Sequence, residues 1–427
     1  MQALFAAGIV LNGYNGLRIY SFLPLRVACF MQFQSNICVI GNGAVGKATA
    51  LGFAQMGLSV TLLSPPEGRA SDVPPGGWDV RVYALNHVAH DLLTSLKVWH
   101  ALDASRVAAV DAMDVKGDGE QAGQLVFDAY GARTGALAWI VEDSNLSSAL
   151  DAALKFAPNL RVVTGHAVEL RTGLQDARVR LDNGDVIESS LVVGADGAQS
   201  WVRGQCDIGI DYRSYGQRAV VTNFECDKPH HGTAYQWFTS SEGIVALLPL
   251  PGQRVSLVWS APEALAQTLL GESLAQLAER LAVFANEPLG QLRPVQPEMV
   301  KAFPLSLMRP HSMVAPRVAL VGDAAHVVHP LAGHGMNLGF ADVEALLKAV
   351  SERESHRDCG DERVLGRYAR ARKEDVFLMQ LATDGLERLF STDFEPVRVV
   401  RNLGLNFVNK LPVIKRALIS HAMGKRS

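Results

Sequence analysis

The sequence predicts an α/β protein: a Rossmann-like dinucleotide-binding domain interleaved with a β-sheet domain, followed by a helical C-terminus. Three stretches carry that expectation. Residues 37–63 read as strand, Gly-x-Gly-x-x-Gly turn, helix and strand. Residues 318–347 place a short apolar strand, an acidic turn, a glycine loop and a helix start in succession. Residues 217–259 alternate in strand fashion between turn signals at Gly232, Ser241–Gly243 and Pro251-Gly252.

The 427 residues can bury a large core, and two intimately joined domains fit that length better than one. With 48% hydrophobic and 19% charged residues the chain is ordered. A formal net charge of −3 gives no global attraction to nucleic acid. The cysteines, Cys29, Cys38, Cys206, Cys226 and Cys359, lack metal-like or Cys-x-x-Cys spacing and read as free thiols of a reducing cytoplasm. No apolar run reaches the ~18 residues that span a bilayer.

Along the chain, Ala3 to Leu11 is apolar but short, and its arginines, Arg18 and Arg26, come after it. That is a poor signal peptide, and Met31, directly before the first convincing strand, is the expected initiator. In the turn after Ile37–Ile40, Gly41 permits the tight bend, Gly43 the approach of a pyrophosphate, and Gly46 close helix packing. The second strand, Val60–Leu63, ends in Ser64, followed by Pro65, Pro66 and Glu67. Pro74 to Gly77 mark a loop. Arg81-Val-Tyr-Ala84-Leu85 precedes a helix to about Trp99. Short strands near 112–116, 124–127 and 138–141 lead to a helix over 142–157, with Trp139 read as core.

A strand over 186–194 ends in Gly194-Ala-Asp196-Gly197-Ala-Gln-Ser200-Trp-Val-Arg203, where Asp196 is either a ligand contact or an N-cap for a helix starting near Ala198. Tyr215, Tyr235, Trp237 and Phe238 could line a pocket, although aromatic residues in strands usually pack cores. A helix is expected over 263–286, and Val300 to Leu305 returns the chain to the first domain. In the stretch from Val318, Asp323 is placed to accept hydrogen bonds from ligand hydroxyls. The helix start beyond it offers free N–H groups, and Gly335 allows close approach. A long charged helix follows over 361–390. After Glu395 the tail has basic residues, among them Lys410, Lys415 and Arg416, interleaved with Leu403, Phe407, Ile414 and Leu418, and no acidic residue.

Gly322-Asp-Ala-Ala-His, then His329-Pro-Leu-Ala-Gly-x-Gly-x-Asn-Leu-Gly, resembles the second flavin fingerprint of group A flavoprotein monooxygenases of the para-hydroxybenzoate hydroxylase fold. The likeness is greatest to the ubiquinone-biosynthesis aromatic hydroxylases. It spans Ile37 to about Leu418, with three motifs in family order. The resemblance implies an FAD-binding Rossmann-like domain. Asp323 would hold the ribityl chain, and Pro330 would lie against the isoalloxazine ring. The loop at Gly333 and the amides of Gly335, Met336 and Asn337 would face the flavin N1 and C2 carbonyl, where negative charge gathers on reduction. Arg81 would reach toward the cofactor, the alternative being a surface salt bridge. Asp196 and Gly197 would serve FAD and the pyridine nucleotide. The family usually has Glu or Asp where this chain has Ser64, which leaves the adenosine ribose a neutral partner. His334 stands where relatives usually have Gln, and no catalytic base is named.

The resemblance implies an FAD-dependent monooxygenase that hydroxylates the aromatic ring of a polyprenylated phenol or quinone precursor in ubiquinone biosynthesis. NAD(P)H would be co-substrate, and O₂ would react through a flavin C4a-hydroperoxide. The alternatives are a hydroxylase or epoxidase of another aromatic or isoprenoid, and a non-catalytic flavoprotein subunit of a biosynthetic assembly. The Trp-x-Trp-x-Ile-Pro element of flavin halogenases is missing. Residues 31–107, 143–205 and 298–351 are expected to form the FAD domain. Residues 108–142 and 206–297 are expected to form the substrate domain, 352–427 C-terminal helices, and 1–30 an extension. The protein is expected in the cytoplasm and peripheral on the inner membrane. Its basic tail would meet the membrane surface or pack on the flavin domain, and membership of a ubiquinone-biosynthesis complex is implied.

Overall fold

The structure, a computed structural model, describes residues 31–66, 73, 76–117, 123–329 and 334–390. The N-terminal extension, Glu67, Pro74 and Pro75, Pro330, Gly333 and the basic tail lie outside the described residues.

β1 (Gln32–Ile40) ends in a buried apolar run and turns into α1 (Ala44–Gln55). Gly57, at φ +82°, stops that helix, and β2 (Val60–Ser64) follows. β3 (Val82–Leu85), α2 (His87–Ser95) and β4 (Val107–Val110) come next. Then follow β5 (Ala112–Lys116), β6 (Gln124–Asp128), β7 (Ala138–Glu142) and α3 (Asp143–Leu154). β8 (Leu160–Thr164), β9 (Ala167–Thr172), β10 (Ala177–Leu181) and β11 (Val186–Gly194) precede α4 (Trp201–Gln205). β12 (Ile210–Cys226) is followed by a meander of β13 (Thr233–Thr239), β14 (Gly243–Leu250) and β15 (Arg254–Pro262), whose last strand pairs back with β12. After α5 (Glu263–Gly271) and α6 (Leu274–Leu289) come β16 (Leu292–Pro294), β17 (Lys301–Pro310), β18 (Val314–Ala315) and β19 (Val318–Leu320). α7 (His334–Ser351) and α8 (Glu362–Phe390) complete the described chain.

The first sheet runs β18-β19-β11-β1-β2-β8, with β10 on β11 and β9 on β10. Its centre is parallel, so both faces must be covered, and the strands are apolar on both. Ile37 and Val39 join the core built with α1, α3 and α7, while Cys38 and Ile40 pack with Val179, Val192 and Val202 on the other face. The second sheet runs β16-β12-β15-β14-β13-β5-β6, with β17 also on β12. One face of it buries Val220, Trp237, Leu247, Leu257 and Trp259 with Leu277 and Leu281 of α6.

The structure differs from expectation in four places. The helix expected over 263–286 is two helices, because Ser273 and Gln276 form a capping box that restarts the chain as α6. The helix expected near Ala198 begins at Trp201, with Ser200 as its cap. Residues 108–142 divide: β5 and β6 extend the second sheet, whereas β4 and β7 join β3 in a separate three-stranded sheet. β17 pairs along β12 of the second sheet before the chain reaches β19 of the first. Among the described residues no helix is long and apolar enough to cross a membrane, no group of residues is set to hold a metal, and Cys38, Cys206, Cys226 and Cys359 are free.

Candidate active site

The glycine turn is held by the sheet on both sides. Gly41 N–H donates to the Leu63 carbonyl at 3.1 Å, and Ala195 N–H donates to the Ile40 carbonyl at 2.8 Å. Gly41 has φ +115°, and a side chain there would collide with the Ala195 carbonyl. A Cβ on Gly46 would strike the Gly41 carbonyl, so this glycine sets how closely α1 enters the turn. At Gly43 a Cβ would meet nothing within 4 Å: the space is open. α1 starts there with no side-chain cap and no acidic residue in its first turn, leaving its N–H groups to a ligand.

Arg81 is aimed by a network on the preceding residues. The Asp79 carboxylate accepts from Arg81 N–H at 2.9 Å and Ser144 N–H at 3.1 Å, and Asn223 Nδ2 donates to the Asp79 carbonyl at 3.0 Å. Asp79 N–H in turn donates to Glu142, which is fully buried and held bidentately by Arg106 at 2.7 and 2.8 Å. Burial pushes the Glu142 carboxyl above its ordinary range, against the pull of Arg106. The Arg81 guanidinium lies 5.3 Å from the Phe303 ring centroid. Burial works against its charge, but Tyr83, Asp143, Asp323 and Asp79 hold its pKa above the ordinary value.

Asp196 serves its own loop first. Its carboxylate accepts from the Ser200 hydroxyl at 2.6 Å and from Val202 N–H at 3.0 Å, while Ser200 Oγ caps Arg203 N–H. The buried Arg203 then ties this loop to the Asp323 turn, donating to the Ala198 carbonyl at 2.8 Å and the Ala324 carbonyl at 2.9 Å. The Asp323 turn, a short 3-10 segment at Gly322–Ala324, is also pinned from below. Asp342 of α7 accepts from Gly322 N–H at 2.9 Å, contacts His326 Nε2 at 2.7 Å, and accepts from Arg372 Nε of α8 at 2.7 Å. Burial alone would raise the Asp342 carboxyl, but His326 and Arg372 hold it below its usual value. Tyr368 Oη, also on α8, donates to the Leu320 carbonyl at 2.6 Å.

These segments enclose a cavity of about 710 Å³. Gly41, Gly43, Gly46, Arg81, Asp196, Gly197, Asp323, Gly335 and Met336 all lie on its wall. Ser64 and Asn337 do not. Ser64 Oγ accepts from Asn42 Nδ2 at 2.7 Å, so the turn itself uses the hydroxyl expected for a ribose. The Asn337 carboxamide is spent on packing: it donates to the Ala84 carbonyl at 2.8 Å and accepts from Asn86 N–H at 2.9 Å, docking α7 on the β3–α2 corner. His329 is fully buried beside Tyr215, with Nε2 3.1 Å from Gln217 Oε1. Burial pushes its pKa down to about 4, which keeps it neutral at physiological pH. Of the four aromatic residues, Tyr235 reaches the wall, while Trp237 and Phe238 are core.

The far wall is one face of the second sheet: Ala219 and Val221 of β12, Ala246 of β14, and Val258 of β15. Cross-strand pairing puts Gln236, Ala246, Val258 and Val221 in one row. Gln236, Ala246 and Val258 each have a larger neighbour on the opposite face, Trp237, Leu247 and Trp259. Alternation of small and large side chains therefore hollows one face and fills the other. That signal was available in Tyr-Gln-Trp and Val-Trp-Ser but is visible only once the strands are paired.

An elongated dinucleotide fits this site. The open space at Gly43 and the uncapped start of α1 suit its phosphates, and Asp323 and the start of α7 lie along the same cavity. A family model described as "FAD binding domain" matches residues 34–379. The chain is 35% identical to the 3-demethoxyubiquinol 3-hydroxylase of Escherichia coli, over 91% of this chain and 98% of that protein. It is 34% identical to the ubiquinone hydroxylase UbiL of Rhodospirillum rubrum, over 91% of this chain and 90% of that one. The crystal structure of p-nitrophenol 4-monooxygenase PnpA from Pseudomonas putida shares the fold, with a TM-score of 0.74 at 18% identity, covering 93% of this chain and all of that one. The chain thus belongs to the FAD-binding-domain family of group A flavoprotein monooxygenases, among its ubiquinone-biosynthesis hydroxylases.

Proposed function

We propose that this enzyme hydroxylates the ring of a polyprenylated phenol, a quinone precursor in ubiquinone biosynthesis, using O₂ and NAD(P)H. The observation that carries this reading is the continuous cavity, which runs from the phosphate-binding glycine turn to an apolar sheet face lined by small side chains. Bound FAD supplies the redox chemistry and activates O₂. The chain's own residues do the rest. The N–H groups at the start of α1 hold the phosphates, and Asp323 accepts from the ribityl hydroxyls. The amides of Gly335, Met336 and Asn337 meet charge on the flavin ring; Pro330 and Gly333, assigned to the same cofactor, lie outside the described residues. Arg81, Asp196 and Gly197 border the same cofactor. The sheet face excludes water and orients the ring. On this reading residues 31–107, 143–205 and 298–351 serve FAD and 108–142 and 206–297 the substrate, except that β4 and β7 stand apart in the three-stranded sheet and β17 lies on the second sheet.

The test is direct. Purified protein is yellow with about one FAD per chain, and a short-chain prenylated phenol stimulates NAD(P)H oxidation with a product one oxygen heavier. Stimulated oxidation that yields only hydrogen peroxide with every phenol tried would reject the substrate class while leaving the flavin assignment standing.

So apolar a substrate is collected from a bilayer or a carrier. The tail after Glu395, basic and apolar by turns, is proposed to dock on an anionic membrane surface, where each exposed Lys or Arg adds about 1 kcal/mol. A complex of ubiquinone-biosynthesis enzymes is the corresponding protein environment. Docking predicts sedimentation with anionic liposomes that fades as salt rises. It also predicts that Lys410→Glu, Lys415→Glu and Arg416→Glu together abolish sedimentation and leave FAD bound. Wild-type protein that ignores such liposomes at low salt would leave delivery to a partner.

A further inference from the structure

Two polar side chains interrupt the apolar sheet face of the cavity. Gln236 of β13 and Ser260 of β15 both line it, and they are only 8% and 4% exposed. Among the described residues neither side chain has a hydrogen-bond partner, and the polar atoms of both keep contact with the cavity. Around them the wall is Ala219, Val221, Ala246 and Val258, which offer no partner. A carboxamide that faces an apolar cavity with no protein partner is placed to pair with a ligand.

The register separates the two groups. Gln236 pairs with Ala246, whereas Ser260 pairs with Ile244 on the next strand over. They stand two strands and two residues apart, about 12 Å across the sheet. One atom cannot be shared between them. Gln236 has the longer reach and offers both N–H donors and a carbonyl acceptor, so it can grip a phenol oxygen as donor or as acceptor.

We infer that Gln236 is the specificity residue of the substrate pocket, its carboxamide binding the oxygen substituent of the aromatic ring and so fixing which ring edge faces the flavin. This rests on the proposed phenol reading. It places the apolar wall around the ring and prenyl chain, and gives the sole task of reading the ring oxygen to this side chain. Ser260, at the other end, meets a more distant part of the ligand.

The experiment uses the FAD-loaded enzyme, with binding followed by the perturbation of flavin absorbance. Geranylphenol is compared with geranylbenzene, which lacks the oxygen. Wild type is expected to bind geranylphenol about tenfold more tightly than geranylbenzene, the size of one net hydrogen bond. Gln236→Met, similar in length but without hydrogen-bonding groups, should lose that tenfold preference, keep its FAD, and release a larger share of its reducing equivalents as hydrogen peroxide. Equal binding of the two ligands by wild type overturns the inference without needing any variant. An undiminished preference in Gln236→Met also overturns it, and both results leave phenol hydroxylation intact. Wild-type protein that binds neither ligand overturns the phenol reading and this inference with it.

Discussion

Asp323 is where sequence and structure meet most closely. It stands on the cavity wall, on a turn braced from two sides by Arg203 and Asp342. On the proposed reading Asp323→Ala removes ribityl hydrogen bonds worth roughly 1 kcal/mol each, so FAD affinity should fall about tenfold or more. Equilibrium dialysis checks it, and unchanged retention would release this residue from its assigned role. Ser64 could not be read so well, because its partner Asn42 comes close only when the turn closes. Ser64→Glu would supply a charge-assisted acceptor for the ribose, about twice as strong as a neutral one, and should tighten FAD binding. His329 gives a pH signature. Its pKa is about 4 in the fold against an ordinary 6.5, so the unfolded chain takes up the proton first as pH falls. The stability contributed by keeping it neutral is complete above about pH 6.5 and is lost on the way down to about 4, by about 3 kcal/mol in all. His329→Gln should flatten the melting temperature over that window, and an unchanged slope would assign the acid sensitivity elsewhere.

Among the elements, α7 and α8 do more than cover the sheet. Asp342 and Arg372 form a buried ion pair, with His326 bonded to the same carboxylate, that joins both helices to the Asp323 turn. Removing one partner strands the others, which costs about 3–5 kcal/mol for a buried pair. Asp342→Leu should therefore lower the melting temperature and weaken FAD binding together, and Arg372→Leu should do likewise. A stable Asp342→Leu protein with normal FAD content would mean that the turn holds its shape unaided. The sequence announced these helices by apolar spacing, but gave no sign that Asp342 faces inward. An aspartate about two turns into an amphipathic helix reads as solvent-facing until its neighbours are placed. Strands fared differently. The Val186–Gly194 strand and the meander are written in local alternation and turns, and both appear as read. Their partners are not local, and so the split of β4 and β7 from β5 and β6 was invisible.

At the scale of the molecule, the two sheets meet at the cavity, and its wall draws residues from Ile40 to Met336. The three motifs that follow β1, β11 and β19 are legible because each is a local strand–turn–helix signal. The substrate wall is not, since it exists only as a register between strands. That distribution also sets the order in which the protein can assemble. Gln32 pairs with Val186, and Gly194 pairs with Leu320, so the central sheet closes only after distant parts of the chain have met. Such non-local pairing is slow to form. A nascent chain halted before β19 lacks Asp323 and the start of α7, and so offers only part of the proposed cofactor wall. Flavin capture should then be the last event of refolding, and the quenching of free FAD fluorescence should trail the recovery of circular dichroism. The cofactor's colour thus reports a finished chain, and a cell short of flavin would accumulate completed apoprotein rather than half-made sheets.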